Sequence, residues 1–397
     1  MQRLAAACIV LAWLGCGCSQ APSAPEPAAA QDPPSILLVT LDTTRADSLG
    51  LESDQIETPS LEALAARGTV FTQAWTTAPM TLPAHTSMLT GLYPAEHGVR
   101  ENSRFVAASH TLLGERLRQA GYTTAAFVSG YPLKRSFGLA RGFDHYDDHL
   151  GEGNAERRAD ETTGRALEYL GSAGSGPVFV WVHYFDPHEP YAPPEPFRSR
   201  YASAPYLGEI AFMDQEAGRL IEGFEQHCQG ASSRILVLGD HGEGLGDHGE
   251  ALHGDLLYQS VMRVPMIMAG TGIPAGVIQT PVSIRRVFDT ILAWAGLGSG
   301  YDLLSADTDT EVVLGEALRP FLHYGWQPQV MAVTGTTHVI QAGGLEVYDL
   351  AADPGETDDL SGSVEPGPSV LAAIRAYDLV PDPDAMRDAT LDQEARQ

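Results

Sequence analysis

The chain has little cysteine, little positive charge and no long hydrophobic run. Four cysteines occur in 397 residues, and Cys8, Cys16 and Cys18 fall within the first eighteen. The body holds one thiol, Cys228, which excludes an internal disulfide there. Lys and Arg number 24 against 51 Asp and Glu, for a formal charge of −27. Such a surface excludes non-specific nucleic-acid binding, which needs cations to displace counterions. It also disfavours adsorption on anionic lipid. An anionic substrate would need its positive charge supplied locally, and a metal ion is the simplest source. With 44 % apolar and 19 % charged residues, the composition is otherwise globular.

The apolar run Ala5 to Leu14, behind Arg3, is about ten residues long. That is too short to cross a bilayer and matches the core of a signal peptide. It ends in Leu14-Gly15-Cys16, which resembles a bacterial lipobox with Trp13 where leucine is usual. The resemblance implies lipidation at Cys16, with Cys18 the weaker candidate. An exported lipoprotein in the periplasm or at the cell surface is expected, touching membrane only through that anchor, with simple secretion and a retained N-terminal anchor as the alternatives. Ala21 to Pro34 is rich in Pro and Ala and reads as a semi-extended tether. The expected organisation is a signal peptide over 1–18, a tether over 19–34, a main domain over 35–324 and a small C-terminal subdomain with an acidic tail over 325–397.

After the tether, strand and helix patterns alternate. Ile36 to Leu41 is continuously apolar, as in a strand buried on both faces. Thr58-Pro59 opens a helix with Leu61, Leu64 and Ala65 inward and Gly68 as its stop. Further helices are expected over Leu112 to Ala120, Glu156 to Leu170 and Tyr206 to Phe224. Strands are expected near Ala125 to Val128, Val178 to His183, Ile235 to Gly239 and Pro265 to Ala269. The alternation predicts an α/β fold, a doubly wound, mainly parallel sheet with helices on both faces. Ligands in such sheets lie beyond the carboxyl ends of the strands. Short segments at Met331 to Thr334, His338 to Gln341 and Leu345 to Tyr348 predict a small C-terminal antiparallel sheet. The Pro- and acid-rich tail after Asp353 is expected to be loosely ordered.

Polar residues just past the strands carry the candidate chemistry. Asp42 ends the first strand in LDTTRAD, and Asp240-His241 ends another in LGDHGEGLGDHGE. Singly, a helix cap and a turn would explain them. Two such sites on one sheet edge point instead to a divalent cation. Carboxylates with imidazole suit Mn, Zn or Fe better than Ca. Thr81 precedes a proline-started helix with Pro83, Thr86, Met88 and Leu89. Its hydroxyl would sit where free N–H groups and the helix dipole attract anions, although capping alone would also place a threonine there. Arg45 either braces the metal carboxylate or forms a structural salt bridge.

TPSLEALAARGTVFTQAW, SMLTGLYPAEHG, WVHYFDPHEPYAPP, DHGEGLGDHGE, LLYQSVMRVPMI and VYDLAADPGETDDL resemble, in that order, blocks of the sulfatases within the alkaline phosphatase superfamily. The resemblance spans about residues 35 to 362. It implies a catalytic α/β domain with a smaller C-terminal sheet, one divalent metal (Ca, Mn or Zn) and hydrolysis of a sulfate or related ester. The substrate would be a small-molecule or glycan anionic ester. On the matched positions, Asp42, Thr43, Thr81, Asp240 and His241 are the implied metal site. Thr81, His85, His188 and His253 are the implied catalytic groups; from their own positions, His183 at a strand end and Arg45 beside Asp42 are further candidates for substrate binding.

Three departures stand out. The family's Cys(or Ser)-x-Pro-x-Arg motif, whose first residue becomes formylglycine, is here Thr81-Leu82-Pro83-Ala84-His85, so no formylglycine is expected. Thr43 stands where a second aspartate is usual, and His253 where a substrate-contacting lysine is usual. A plain threonine has no second hydroxyl, so water must cleave any covalent intermediate at sulfur or phosphorus. Superfamily relatives with a threonine nucleophile handle phosphate esters in this way, which tilts the chemistry toward phosphoryl esters or toward transfer. His85 in place of arginine predicts activity that varies through about pH 6 to 7. Two other readings stay open: a phosphoryl or sulfuryl transferase, and a non-catalytic module binding an anionic glycan.

Overall fold

The computed structural model describes residues 33–377, apart from 152, 299, 309 and 310. The expected signal peptide and Cys16 anchor, nearly all of the tether and the end of the acidic tail lie outside the described residues.

The apolar run at the start of the main domain forms β1 (Ser35–Leu41), all seven residues buried. Successive side chains of a strand point to opposite faces. Ile36 and Leu38 therefore join a core with Leu82, Met88 and Ile291, while Leu37, Val39 and Leu41 join another with Leu64, Met213 and Phe224. Two cores on one strand require helices on both faces, and the structure has them. The second face is covered by the Pro59–Ala66, Ala159–Ser172 and Pro205–Cys228 helices.

β2 (Thr69–Trp75), β3 (Thr123–Phe127), β4 (His145–Asp147), β5 (Val178–Tyr184), β6 (Ser233–Gly239), β7 (Arg263–Gly270), β8 (Gly276–Ile278) and β9 (Val282–Ser283) complete a nine-stranded sheet. The order is β4-β3-β5-β1-β6-β7-β2-β8, with β9 also beside β2. The mainly parallel sheet is as expected, with one exception. β7 runs antiparallel to both β6 and β2. Its direction follows from the chain path, because residues 240–262 contain no crossover helix and re-enter the sheet from the edge that β6 leaves. β2 has mixed burial and escaped the sequence reading.

The helix expected from Glu156 begins instead at Ala159. Glu156 bridges to Gly130, and Arg157 N–H donates to Ser129 O at 2.8 Å, which keeps both extended. The Asp186 carboxylate then takes the Ala159 N–H at 3.0 Å.

β10 (Val313–Ala317), β11 (Gln329–Thr334), β12 (Thr337–Ala342) and β13 (Gly344–Asp349) form a separate antiparallel sheet in that order. It begins ahead of residue 325, because β10 is separated from β11 by the Arg319–Tyr324 helix. One face packs on Trp75 and Val261, the other on Val370 and Ile374 of the Pro368–Ala376 helix. The segment after Asp353 is therefore tied down as far as that helix, contrary to the expected loose tail. Asp353 accepts the N–H groups of Thr357 and Asp358 at 2.7 and 2.8 Å.

Candidate active site

The register of the central strands builds the site. Leu41 of β1 lies opposite Tyr184 of β5 and Gly239 of β6. Asp42 and Asp240 follow, so two fully buried carboxylates leave the sheet at one height. Asp42 N–H donates to Tyr184 O at 2.9 Å and Asp240 N–H to Leu41 O at 3.2 Å. His241 Nε2 lies 3.6 Å from Asp42 Oδ1 and 3.7 Å from Asp240 Oδ2. His183, near the end of β5, brings Nε2 to 3.2 Å from Asp42 Oδ2.

Five atoms here are buried without a hydrogen-bond partner: Asp42 Oδ1, Thr43 Oγ1, His183 Nδ1, Asp240 Oδ2 and His241 Nε2. Each such group costs about 1–3 kcal/mol if nothing satisfies it. Ligating atoms of Asp42, Asp240 and His241 lie within 4.8 Å of one another, a donor set that fits a divalent cation. Electrostatics agree. Burial and the neighbouring Asp42 charge push the Asp240 carboxyl well above the usual range. Burial opposes ionisation of Asp42 too, but the His183 hydrogen bond and the His241 imidazole hold it well below. Burial, then His253, lowers His241 to about 3, keeping it in the neutral form that ligates. Thr43 takes a left-handed φ of 45° and directs its N–H to Asp240.

Thr81 is the first residue of the Thr81–Thr90 helix and is buried. One turn on, His85 Nδ1 donates to Thr81 O at 2.8 Å and lies 3.5 Å from Asp240 Oδ2. The proton must be on Nδ1, because a carbonyl only accepts. Nε2 then accepts from Thr40 Oγ1 at 2.9 Å, and Thr40 in turn accepts from Trp181 Nε1 at 3.0 Å. Burial drives His85 well below its ordinary value. The pH 6–7 switch expected of this residue is thus corrected: His85 stays neutral there, donates to the Thr81 carbonyl and lies beside Asp240 without bonding it. The free N–H groups expected at the helix start are also fewer. Leu82 N–H is taken by Asn102 Oδ1 at 2.8 Å, and Pro83 has none.

His253 lies against the same site, its ring centroid 4.5 Å from His241 and 5.2 Å from His188. Its Nδ1 is 3.0 Å from Oε1 of the buried Glu243. Burial alone would lower His253, but the Glu243 hydrogen bond and charge carry it above its ordinary value. His188 stacks on Phe185 at 4.2 Å and donates Nδ1–H to Glu189 O at 2.8 Å. Arg45 takes the second of its two readings. Its guanidinium binds Asp47 and Asp247 at 2.7 and 2.8 Å and the Glu243 carbonyl at 3.2 Å, so it braces the 243–247 loop.

Thr40, Asn102, Trp181 and Glu243 support the site and were not singled out from sequence. Glu243 had a signal, its place in the Asp240-His241-Gly242-Glu243 run. Asn102 had none.

A sulfatase family model matches residues 34–297. The uncharacterized sulfatase YidJ of Escherichia coli (strain K12) is 23 % identical over 341 residues, 66 % of this chain and 68 % of that protein. Among solved structures, Ps i-CgsB in complex with k-i-k-neocarrahexaose aligns at TM-score 0.71 and 17 % identity, over 92 % of this chain and 94 % of that one. The phosphonate monoester hydrolase of Agrobacterium radiobacter aligns at TM-score 0.70 and 18 % identity, over 91 % and 96 %. With its strand-end carboxylates and imidazoles, its two sheets and this family match, the chain belongs to the sulfatase family.

Proposed function

We propose that the chain is a metal-dependent hydrolase of sulfate esters or related phosphate and phosphonate esters, with Thr81 as nucleophile. The observation that carries this reading is the set of orphaned buried atoms on Asp42, Thr43, Asp240 and His241 beside the start of the Thr81 helix. Asp42, Asp240 and His241 would hold the cation. When bound, it would lower the pKa of the attacking hydroxyl and offset charge developing on the ester.

The chain's own residues supply the rest. The Thr81 hydroxyl gives up its proton to solvent water, its oxygen attacks sulfur or phosphorus, and the bond from that centre to the ester oxygen breaks. His253, kept protonated by Glu243, gives its proton to the departing oxygen. Water then attacks the same centre and passes a proton to the now neutral His253, the bond to the Thr81 oxygen breaks, and that oxygen regains a proton from solvent as the oxyanion is released. His85 is a positioning residue: a neutral donor at the Thr81 carbonyl holds the helix start in place without attracting the anion.

The test is a panel of aryl sulfate, phosphate monoester, phosphodiester and phosphonate substrates, with and without chelator. Thr81→Ala is expected to lower turnover by about 10³-fold or more. Divalent cation, titrated into the chelated protein, is expected to raise the melting temperature with concentration. Unchanged turnover in Thr81→Ala would remove it as nucleophile, and a melting temperature indifferent to cation would remove the metal.

A further inference from the structure

An unused aromatic surface adjoins the site. Tyr324 and Trp326 are 54 % and 52 % exposed, with ring centroids 6.0 Å apart and planes at 53°. The other described tryptophans, Trp75, Trp181 and Trp294, are buried. Trp326 lines a cleft of about 450 Å³ whose walls include Tyr258, Gln327, Gln329, Ile340 and Glu346. Large solvent-facing rings beside a cleft with amide and carboxylate groups suit a ligand that is flat and apolar on its faces and hydroxylated at its edges.

This surface is fastened to the reaction centre from two sides. A Cβ on Gly254, next to His253, would lie 3.4 Å from the Arg319 side chain and 3.7 Å from that of Met80, which precedes Thr81. Arg319 donates to Asp255 at 2.5 Å and to the Tyr324 hydroxyl at 3.2 Å. Gln329 donates to Asp255 O at 2.7 Å. On the other side, His323 meets Glu101 at 2.8 Å, and the adjoining Asn102 caps Leu82. The ring segment is thus tied through Arg319 to the residues that follow His253 and through His323 to the loop that caps Leu82, and the Arg319 guanidinium is partly exposed.

We propose that Trp326, Tyr324 and the adjoining cleft form a saccharide subsite that holds the leaving-group side of an oligosaccharide whose sulfate or phosphate ester reacts at Thr81. The sugar faces stack on the rings, Gln327 and Glu346 take its hydroxyls, and Arg319 accepts a further anionic substituent. The identity of the reacting group rests on the ester-hydrolase reading above; the binding of sugar does not.

The test uses the full chain and tetra- to hexasaccharides of carrageenan, chondroitin sulfate and heparin, beside 4-nitrophenyl esters that lack a sugar. The emission difference between wild type and Trp326→Phe isolates Trp326. Saccharide is expected to shift that signal to shorter wavelength and shield it from acrylamide. Trp326→Ala is expected to lower kcat/KM about tenfold on the cleaved oligosaccharide and by less than about twofold on the sugar-free ester, at an unchanged melting temperature. If no saccharide at about 1 mM shields Trp326, the subsite is overturned. A Trp326 already shielded in a dimer without sugar overturns it too. Shielding without turnover of any ester leaves the subsite standing and removes the hydrolase reading. Turnover of small esters without shielding does the reverse.

Discussion

The strand-end site and the His338–Glu356 pair are made of the same materials, buried imidazole and carboxylate, with opposite outcomes. His338 Nδ1 contacts Glu356 Oε1, and Glu356 Oε2 accepts the Gln259 N–H at 2.7 Å. That carboxylate is complete, and it pins the Asp353–Thr357 turn to the short Gln259–Met262 helix. At Asp42, Asp240 and His241 the same groups converge with lone pairs left over. Burial of polar chemistry does not separate a staple from a site. Several unpaired atoms converging on one point do, because a fold gains nothing by gathering such atoms and leaving them alone.

The sharpest way to break this contrast is Asp240→Asn. Turnover is expected to fall by about 10³-fold or more, while the melting temperature of the chelated protein stays level or rises, since a neutral amide replaces a buried carboxyl that lacks a partner. A variant that unfolds instead would make Asp240 a staple. The mirror experiment is His338→Leu, which leaves Glu356 buried without its partner. Denaturant titration is expected to show a loss of about 3–5 kcal/mol, with kcat of the folded fraction within about twofold of wild type. A large fall in kcat would erase the distinction from the other side.

A smaller effect sharpens it. Asp186, just past β5, spends one oxygen on the Ala159 N–H and buries the other unpaired, and burial raises its carboxyl to about 7. The folded chain therefore keeps a proton that the unfolded chain releases from about pH 4 upward. Its contribution to stability falls as pH climbs from about 4 to 7 and is level above that. Asp186→Asn keeps the cap and removes the slope. The gain at pH 8 is expected to be on the order of 1–4 kcal/mol, with none at pH 4, read from unfolding at both pH values.

Much of this was legible because strand ends are legible. A continuous apolar run stopped by Asp, read twice, located Asp42 and Asp240-His241 before any register was known. The parts that stayed hidden depend on distance in sequence or on solvent. Asn102 reaches Leu82 across a loop with no periodicity. β10 lacked a neighbour in sequence to mark it as a strand, because a helix intervenes before its partner. Histidine at position 85 reads as a titrating group. Only its complete burial, which outweighs the Thr81 carbonyl's pull toward the protonated form, shows that it stays uncharged near neutrality. Arg45 was ambiguous because sequence gives a charge and not the direction in which it points.

The reversed direction of β7 has a consequence for how such a protein changes over time. Residues 240–262 leave the sheet and return to it on one rim, so both ends of that segment are moored where the chemistry happens. Lengthening it by a few residues adds little closure entropy and disturbs no strand pairing. Substrate preference can therefore drift through insertions at this rim while the scaffold beneath keeps its register.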